Sequence, residues 1–263
     1  MPQLPSVFVS HGSPTLALGP GATGRGLAGV AAALPRPKAI VVASAHWDAP
    51  RPSVSAAAHP ETIHDFHGFP RPLYEIRYPA PGAPEVARRS HELLCAAGLD
   101  AALEGRGLDH GAWVPLAFMY PQADVPVFQV AIQDGAGPAH HYRVGEALQP
   151  LASEGVLILG SGSATHNLRE VRWGEGENEG VPDWVREFRA WLADRLEKGD
   201  VEALLDYRSR APHAARNHPT EDHLLPLFVP LGAAGAGAKI ERRNDLVTFG
   251  VLGMDAFVMQ PAA

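Results

Sequence analysis

Apolar residues along this chain gather in short runs, separated by longer stretches of helical periodicity. SVFVS (6–10), AIVVASA (39–45), VPVFQVAI (125–132) and GVLILGSG (155–162) are β-rich and bounded by Gly, Pro or Ser, which predicts buried strands. Helices are expected between them over 83–98, 111–120 and 139–152. A further amphipathic helix is predicted over 182–199, with Trp184, Phe188, Trp191 and Leu192 on one face and Gly199 placed to end it. Residues 246–259 read as a terminal strand or hairpin. This alternation argues for an α/β fold: a single domain over 1–263, with a central mixed, largely parallel sheet flanked by helices. The Pro- and Gly-rich stretch 49–84 would be a long loop, which in one compact domain either serves function or counts against the assignment. Residues 172–182 read as an acidic surface loop and 232–238 as a flexible connector, neither resembling a domain boundary.

Composition leaves the fold reading unchanged and narrows the chemistry. Hydrophobic content of 46% and charged content of 19% are those of an ordinary globular chain. A formal charge of −7 without any basic run excludes a nucleic-acid footprint and makes an anionic membrane surface a poor partner. No apolar run approaches the ~18 residues of a membrane span, and the first residues carry no basic, apolar leader pattern. Cys95, the sole cysteine, rules out an intramolecular disulfide and points to a reducing cytoplasm. Cys95 itself is expected as a small buried hydrophobe on an apolar helix. Any metal must then be held by nitrogen and oxygen ligands, for which thirteen histidines supply candidates.

Where the histidines fall matters more than their number. His11 follows SVFVS directly, His46 follows AIVVASA directly, and His166 lies four residues beyond GVLILGSG. Ligands of open α/β sheets bind beyond the carboxyl ends of strands, so these three converge if their strands are neighbours. His110, in GLDHGAW, heads the helix expected from 111. His59, His64, His67, His91, His140, His141 and His213 have no such placement and read as ordinary loop or helix residues. Convergent imidazoles suit Zn, Fe, Cu or Ni, and open coordination positions mark catalysis rather than structure.

The candidate third ligand lies in HPTEDH. With Thr220 as N-cap, His223 falls at the third helical position, one turn before Leu227 and aligned with the core, whereas His218 precedes the helix. Pro226 would then sit inside a helix at a cost of about 3 kcal/mol, the kind of local rule-breaking that accompanies function. GPGATGRG (19–26) lacks the Lys-Ser/Thr of a phosphate loop. GSGSATH (160–166) does not spell G-x-S-x-G, and its glycines are expected to let backbone approach the site.

Taken in order from residue 8 to about 232, FVSHGSPTLAL, SAHW, TIHDFHGFPRPLYEIRYPAPGAPEVA, LDHGAWVPL, GSGSATHNLRE and HPTEDHLLPL resemble the class III (LigB-type) extradiol ring-cleavage dioxygenases, in the 4,5-DOPA dioxygenase branch. The HDF-x-GFP…LY…YPAPG stretch is long and unusual, and it would make 49–84 site-forming. The resemblance implies His11, His46 and His223 as ligands of a non-haem divalent metal, with His223 standing where distant relatives carry glutamate. It implies His166 as a catalytic acid/base, or an additional metal ligand, and His110 as a second catalytic histidine near the substrate. It also implies a mixed-sheet α/β domain, Fe(II) for activity, and a small-molecule catechol such as L-DOPA with O2 as partners. Three imidazoles depart from the two-histidine, one-carboxylate set usual for Fe(II) oxygenases, so Zn(II) could be bound instead.

A histidine, with an ordinary pKa of about 6.5, suits taking a catechol proton and returning one later. Arg71, Tyr74, Arg77 and His67 could meet the carboxylate or amine of a catecholic amino acid, or could be solvated surface. Two rivals stay open: a zinc-dependent hydrolase on the same three histidines, and a non-enzymatic metal-binding protein on the same scaffold. A monomer and a small homo-oligomer are equally compatible with the sequence.

Overall fold

In the computed structural model, which describes residues 3–262, the four apolar runs lie side by side at the middle of one sheet. The strands are β1 (Ser6–Ser10), β2 (Ala39–Asp48), β3 (Ser53–Ser55), β4 (Ala102–Glu104), β5 (Val127–Ile132), β6 (Val156–Gly162), β7 (Lys239–Asn244), β8 (Val247–Thr248), β9 (Leu252–Gly253) and β10 (Ala256–Gln260). Within the described residues eight of them form one sheet in the order β4-β3-β5-β2-β6-β1-β10-β7, and β8 pairs with β9. β5, β2, β6 and β1 are mutually parallel. β3 meets β5, β10 meets β1 and β7 meets β10 antiparallel. The chain thus has the α/β domain with a mixed, largely parallel sheet that the alternation predicted.

Successive residues of each central strand face opposite sides. Ile40, Val42, Leu157 and Leu159 pack with the helices Gly21–Ala32 and His110–Met119. Val41, Ala43, Val156 and Ile158 pack with Pro84–Ala96, Gly137–Leu148 and Phe228–Ala234 on the other side. Burial on both faces is why these strands appear as unbroken apolar runs rather than alternating ones. A third cluster, including Phe8, Phe188, Leu192, Tyr207, Phe228 and Phe257, joins the helix Asp183–Glu197 to the β1–β10 end. Gly199, in a left-handed conformation with φ of +64°, follows that helix as expected. Among the described residues no helix is long and apolar enough to cross a membrane.

Four local expectations are corrected. No helix starts at Thr220: residues 219–224 are turns, Leu225–Leu227 is a short 3-10 segment, and the helix begins at Phe228. Pro226 therefore stands in a first turn, where its missing N–H breaks no bond. Residues 232–234 are the last turn of the Phe228–Ala234 helix rather than connector. Cys95 is exposed, because Ala87, Ser90 and Leu94 form the buried face of its helix and Cys95 is rotated a quarter-turn away. The Gly-rich segment after residue 19 opens an unforeseen helix, Gly21–Ala32, whose buried Leu27 and Val30 outweigh its glycines.

Candidate metal centre and cleft

β2, β6 and β1 are neighbours whose carboxyl ends are level, with Ser44 opposite Ser161 and Ser10 opposite Gly162. This adjacency brings His11, His46 and the 163–166 loop to one edge of the sheet. β2 runs beyond its expected end, and its register against β5 jumps between Ser44 and Asp48. A bulge of this kind re-aims a side chain, here His46. His11 Nε2 and His46 Nε2 lie 3.1 Å apart. The ring centroids of His11, His46 and His223 are mutually separated by 4.9, 5.0 and 5.4 Å. His110 is 3.9 Å from His46, centroid to centroid. His166 stacks on His223 at 3.4 Å with only 8° between planes.

All five singled-out histidines therefore meet in one place. By closest ligand atoms they fall into two groups. His11, His46 and His110 form one, and His166, His223 and Asp222 the other, each within 4.8 Å.

Hydrogen bonds fix how these rings are presented. Pro115 interrupts the His110–Met119 helix, and its missing N–H leaves the Gly111 carbonyl without a helical donor. Ser161 donates its hydroxyl hydrogen to that carbonyl. Its oxygen is then free to accept from His11 Nδ1, 3.1 Å away, which leaves the His11 Nε2 lone pair facing His46. Asp65 accepts from both the backbone N–H and Nδ1 of His110, each at 2.8 Å, so His110 Nε2 is the free nitrogen. The same carboxylate lies 3.5 Å from His46 Nδ1. His223 Nδ1 donates to Asp222 Oδ2. His223 is held from behind by Ser163, whose N–H donates to the His223 carbonyl at 2.8 Å. A Cβ on Gly162 would come within 2.1 Å of that carbonyl, so glycine there is what permits the approach.

Beneath the site lies fully buried Asp109. It accepts from Ser44 Oγ at 2.7 Å, from Gln129 Nε2 at 2.8 Å and, as N-cap, from Ala112 N–H at 3.2 Å. Arg106 links Asp109 to the His46 carbonyl.

Burial, reinforced by the neighbouring imidazoles, holds His11 and His223 well below the ordinary histidine value. His46 is pushed down to about 4 by burial and by His110, against the opposing pull of Asp109 and Asp65. His166 also falls to about 4, chiefly through burial. Burial disfavours ionised Asp65, yet hydrogen bonds from His110 win and bring its carboxyl to about 2. These rings are neutral at neutral pH, with lone pairs available to a cation.

The donor set fits a divalent metal. Ligand nitrogens about 2.1 Å from an ion lie about 3.0 Å apart at a right angle and about 3.4 Å apart at the tetrahedral angle; the His11–His46 separation falls between them. The Nδ1 partners Ser161, Asp65 and Asp222 are the second layer that metal-binding histidines use to fix their tautomer.

A cleft of about 210 Å³ opens over the histidines, bounded by Pro14, Phe66, Phe69, Leu168, Trp173 and Leu252. Stretch 49–84 does form part of the site, through Asp65, Phe66 and Phe69. Arg71, Tyr74, Arg77 and His67 do not line the cleft. Arg71 pairs with Glu75, and Arg77 caps the carbonyls of Tyr74 and Ile76. His218 is a core residue, donating from Nε2 to the Ala164 carbonyl at 3.0 Å and packed against Phe188. Sequence reasoning missed Asp65, Ser161, Asp109 and Asp222. Of these, Asp65 was signalled by its place in the HDF motif. It also read 172–182 only as surface, although Trp173 borders the cleft.

The family described as "Catalytic LigB subunit of aromatic ring-opening dioxygenase" matches residues 8–259. The 4,5-DOPA dioxygenase extradiol of Portulaca grandiflora is 40% identical over 259 residues, covering 96% of this chain and 94% of the relative. The protein of the same name from Beta vulgaris is 43% identical over 224 residues, covering 84% of this chain and 82% of that one. The crystal structure of an uncharacterized Escherichia coli K12 protein superposes with a TM-score of 0.79 at 32% identity, covering 97% of this chain and 99% of the other. Kinship and scaffold agree over nearly the whole length, and the chain belongs to the LigB family of aromatic ring-opening dioxygenases.

Proposed function

We propose that this chain opens the ring of a catechol, such as L-DOPA, by extradiol insertion of O2 at a divalent metal held by His11, His46 and His223. Dioxygenases of this family take O2 and a small aromatic molecule. The observation that carries the reading is the meeting of these three rings, 4.9–5.4 Å apart by centroid, at the floor of a catechol-sized cleft.

A divalent ion held by His11, His46 and His223 would supply Lewis acidity that eases ionisation of the catechol hydroxyls, and a centre at which O2 is activated. Fe(II) is the metal proposed for turnover, with Zn(II) a competitor for the same imidazoles. Three neutral ligands leave the ion its full double charge, which favours a dianionic catecholate. His166, neutral and beside His223, accepts the second hydroxyl proton and later returns it. His110, its Nδ1 proton committed to Asp65, presents Nε2 to hydrogen-bond the substrate. Phe66, Phe69 and Leu252 hold the ring and exclude water.

The test is to load metal-free protein anaerobically with Fe(II), add catechols and then air, and follow O2 uptake with visible absorbance. Stoichiometric O2 uptake with a new yellow chromophore is expected, absent with Zn(II) alone. Ester or amide hydrolysis with Zn(II), and no O2 uptake with Fe(II), would overturn the proposal in favour of a hydrolase.

A further inference from the structure

The walls of the cleft carry no fixed charge. Among the described residues its lining comprises the four imidazoles of His11, His46, His110 and His223, the His166 ring, apolar side chains and two serines besides Gly12, without arginine, lysine, aspartate or glutamate. Both serines are neutral, and of the two only the Ser13 hydroxyl keeps its hydrogen for a ligand. Ser163 donates to the Thr165 carbonyl at 2.8 Å, and Ser13 accepts from the N–H and hydroxyl of Thr15. At the mouth stand Leu168 and Trp173, 59% and 65% exposed, two of the four large hydrophobic side chains exposed among the described residues. Trp173 rests on Phe249 at 5.0 Å between centroids, which holds its ring at the rim.

Nearby cations other than the exposed Arg169 are spoken for. Arg172 donates to Glu175 at 3.1 Å and to the Gly180 carbonyl at 3.0 Å, and Arg71 and Arg77 bond elsewhere. The adjoining hollow, which shares Gly12 and Ser13 with the cleft, carries Glu175 and Glu177. Their charge opposes a carboxylate, while their ties to Arg172 and to the Ala22 N–H blunt their pull on an amine. Two exposed hydrophobic rims facing an uncharged cavity gain most from a ligand that covers them with apolar surface.

We infer that, within the ring-opening reading on which this rests, Leu168 and Trp173 set specificity, and that the preferred substrates are catechols bearing an uncharged, apolar ring substituent rather than the charged side chain of an amino acid.

The test is anaerobic titration calorimetry of the Fe(II)-loaded protein with 4-tert-butylcatechol, dopamine and L-DOPA, paired with O2 uptake on admitting air. 4-tert-Butylcatechol should bind about tenfold or more tighter than either charged ligand, the gain from covering a few carbons. Trp173→Arg should cut that ratio by about tenfold by losing apolar cover and adding a partner for the L-DOPA carboxylate. Leu168→Ser should lower it without favouring L-DOPA. If L-DOPA or dopamine binds as tightly as 4-tert-butylcatechol while rings are still opened, this inference fails and the ring-opening reading stands. If an L-DOPA preference disappears in Arg169→Gln, the exposed arginine beside Leu168 is the anchor and the inference also fails. The expected ranking without O2 uptake would overturn the reaction and leave the specificity intact; no binding by any catechol would sink both.

Discussion

Ser161 in β6 and Gly111 in the first turn of the His110–Met119 helix are joined by a hydrogen bond that exists because that helix is interrupted: Pro115 cannot donate to the Gly111 carbonyl, so the Ser161 hydroxyl does. That bond turns the Ser161 oxygen toward His11 Nδ1 and leaves His11 Nε2 as the donor toward a cation. Ser161→Ala should therefore weaken metal binding by about 10- to 100-fold, the usual cost of removing such a partner. Pro115→Ala, which restores a helical donor to Gly111, should act in the same direction. Competition with a chromophoric chelator measures both, and unchanged affinity in the two variants would dismiss the Ser161 relay.

Individual histidines should separate by metal content. His11→Ala, His46→Ala and His223→Ala should each reduce bound metal from about one per chain to near zero. His110→Ala and His166→Ala should keep the metal while kcat falls about 10²- to 10⁴-fold. Elemental analysis beside single-turnover kinetics decides the matter. A metal-free His110 variant would move that ring into the ligand set, as its nearness to His46 allows; a metal-free His166 variant would do the same for His166.

Asp65 holds His110 by two bonds and does not itself line the cleft. Asp65→Asn keeps the shape but can present its amide to Nδ1, freeing the ring to flip its tautomer. kcat should fall by about 10- to 100-fold with KM little altered and metal content retained. Loss of metal in this variant would show that the 3.5 Å approach of Asp65 to His46 matters more than its bonds to His110.

The metal-free protein should lose stability in mild acid. His141, away from the site, donates from Nδ1 to the Gly137 carbonyl and accepts at Nε2 from the Gln133 N–H, an arrangement only the neutral ring can make. Burial brings it to about 4, below its ordinary 6.5, and His218 to about 3. Between these values the unfolded chain binds more protons, so stability is complete above about pH 6.5 and declines as pH falls toward 4. Each depressed unit is worth about 1.4 kcal/mol. Urea midpoints at pH 7 and pH 5 should differ, and the difference should shrink in His141→Gln; equal sensitivity in the variant would count against His141 as a source.

The sheet and the convergence of His11, His46 and His166 were readable in advance because two-sided burial writes itself as apolar runs, and strand ends follow from where those runs stop. His223 was identified despite a mistaken helix, since what places it is the backbone contact of Ser163 and Gly162 rather than an N-cap at Thr220. Pro226 looked anomalous only under that mistaken helix, while Pro115, inside a real one, drew no notice. Partners such as Ser161 and Asp109 could not be found from spacing, because their roles depend on which strands become neighbours. Charge alone left Arg71 and Arg77 open between ligand anchors and solvated surface, and nearby acceptors claim them. Trp173 illustrates the reverse error, an apolar side chain hidden within an acidic, glycine-rich segment.

β10 enters the sheet between β1 and β7, and the Asp255 carbonyl at its start receives both the N–H and the hydroxyl of Ser10, next to His11. The backbone leading into His11 is thus tied on one side to β6 and on the other to a segment 245 residues further along the chain. Loosening β10 should therefore disturb the backbone beside His11 and weaken metal binding, although β10 contributes no residue to the cleft lining.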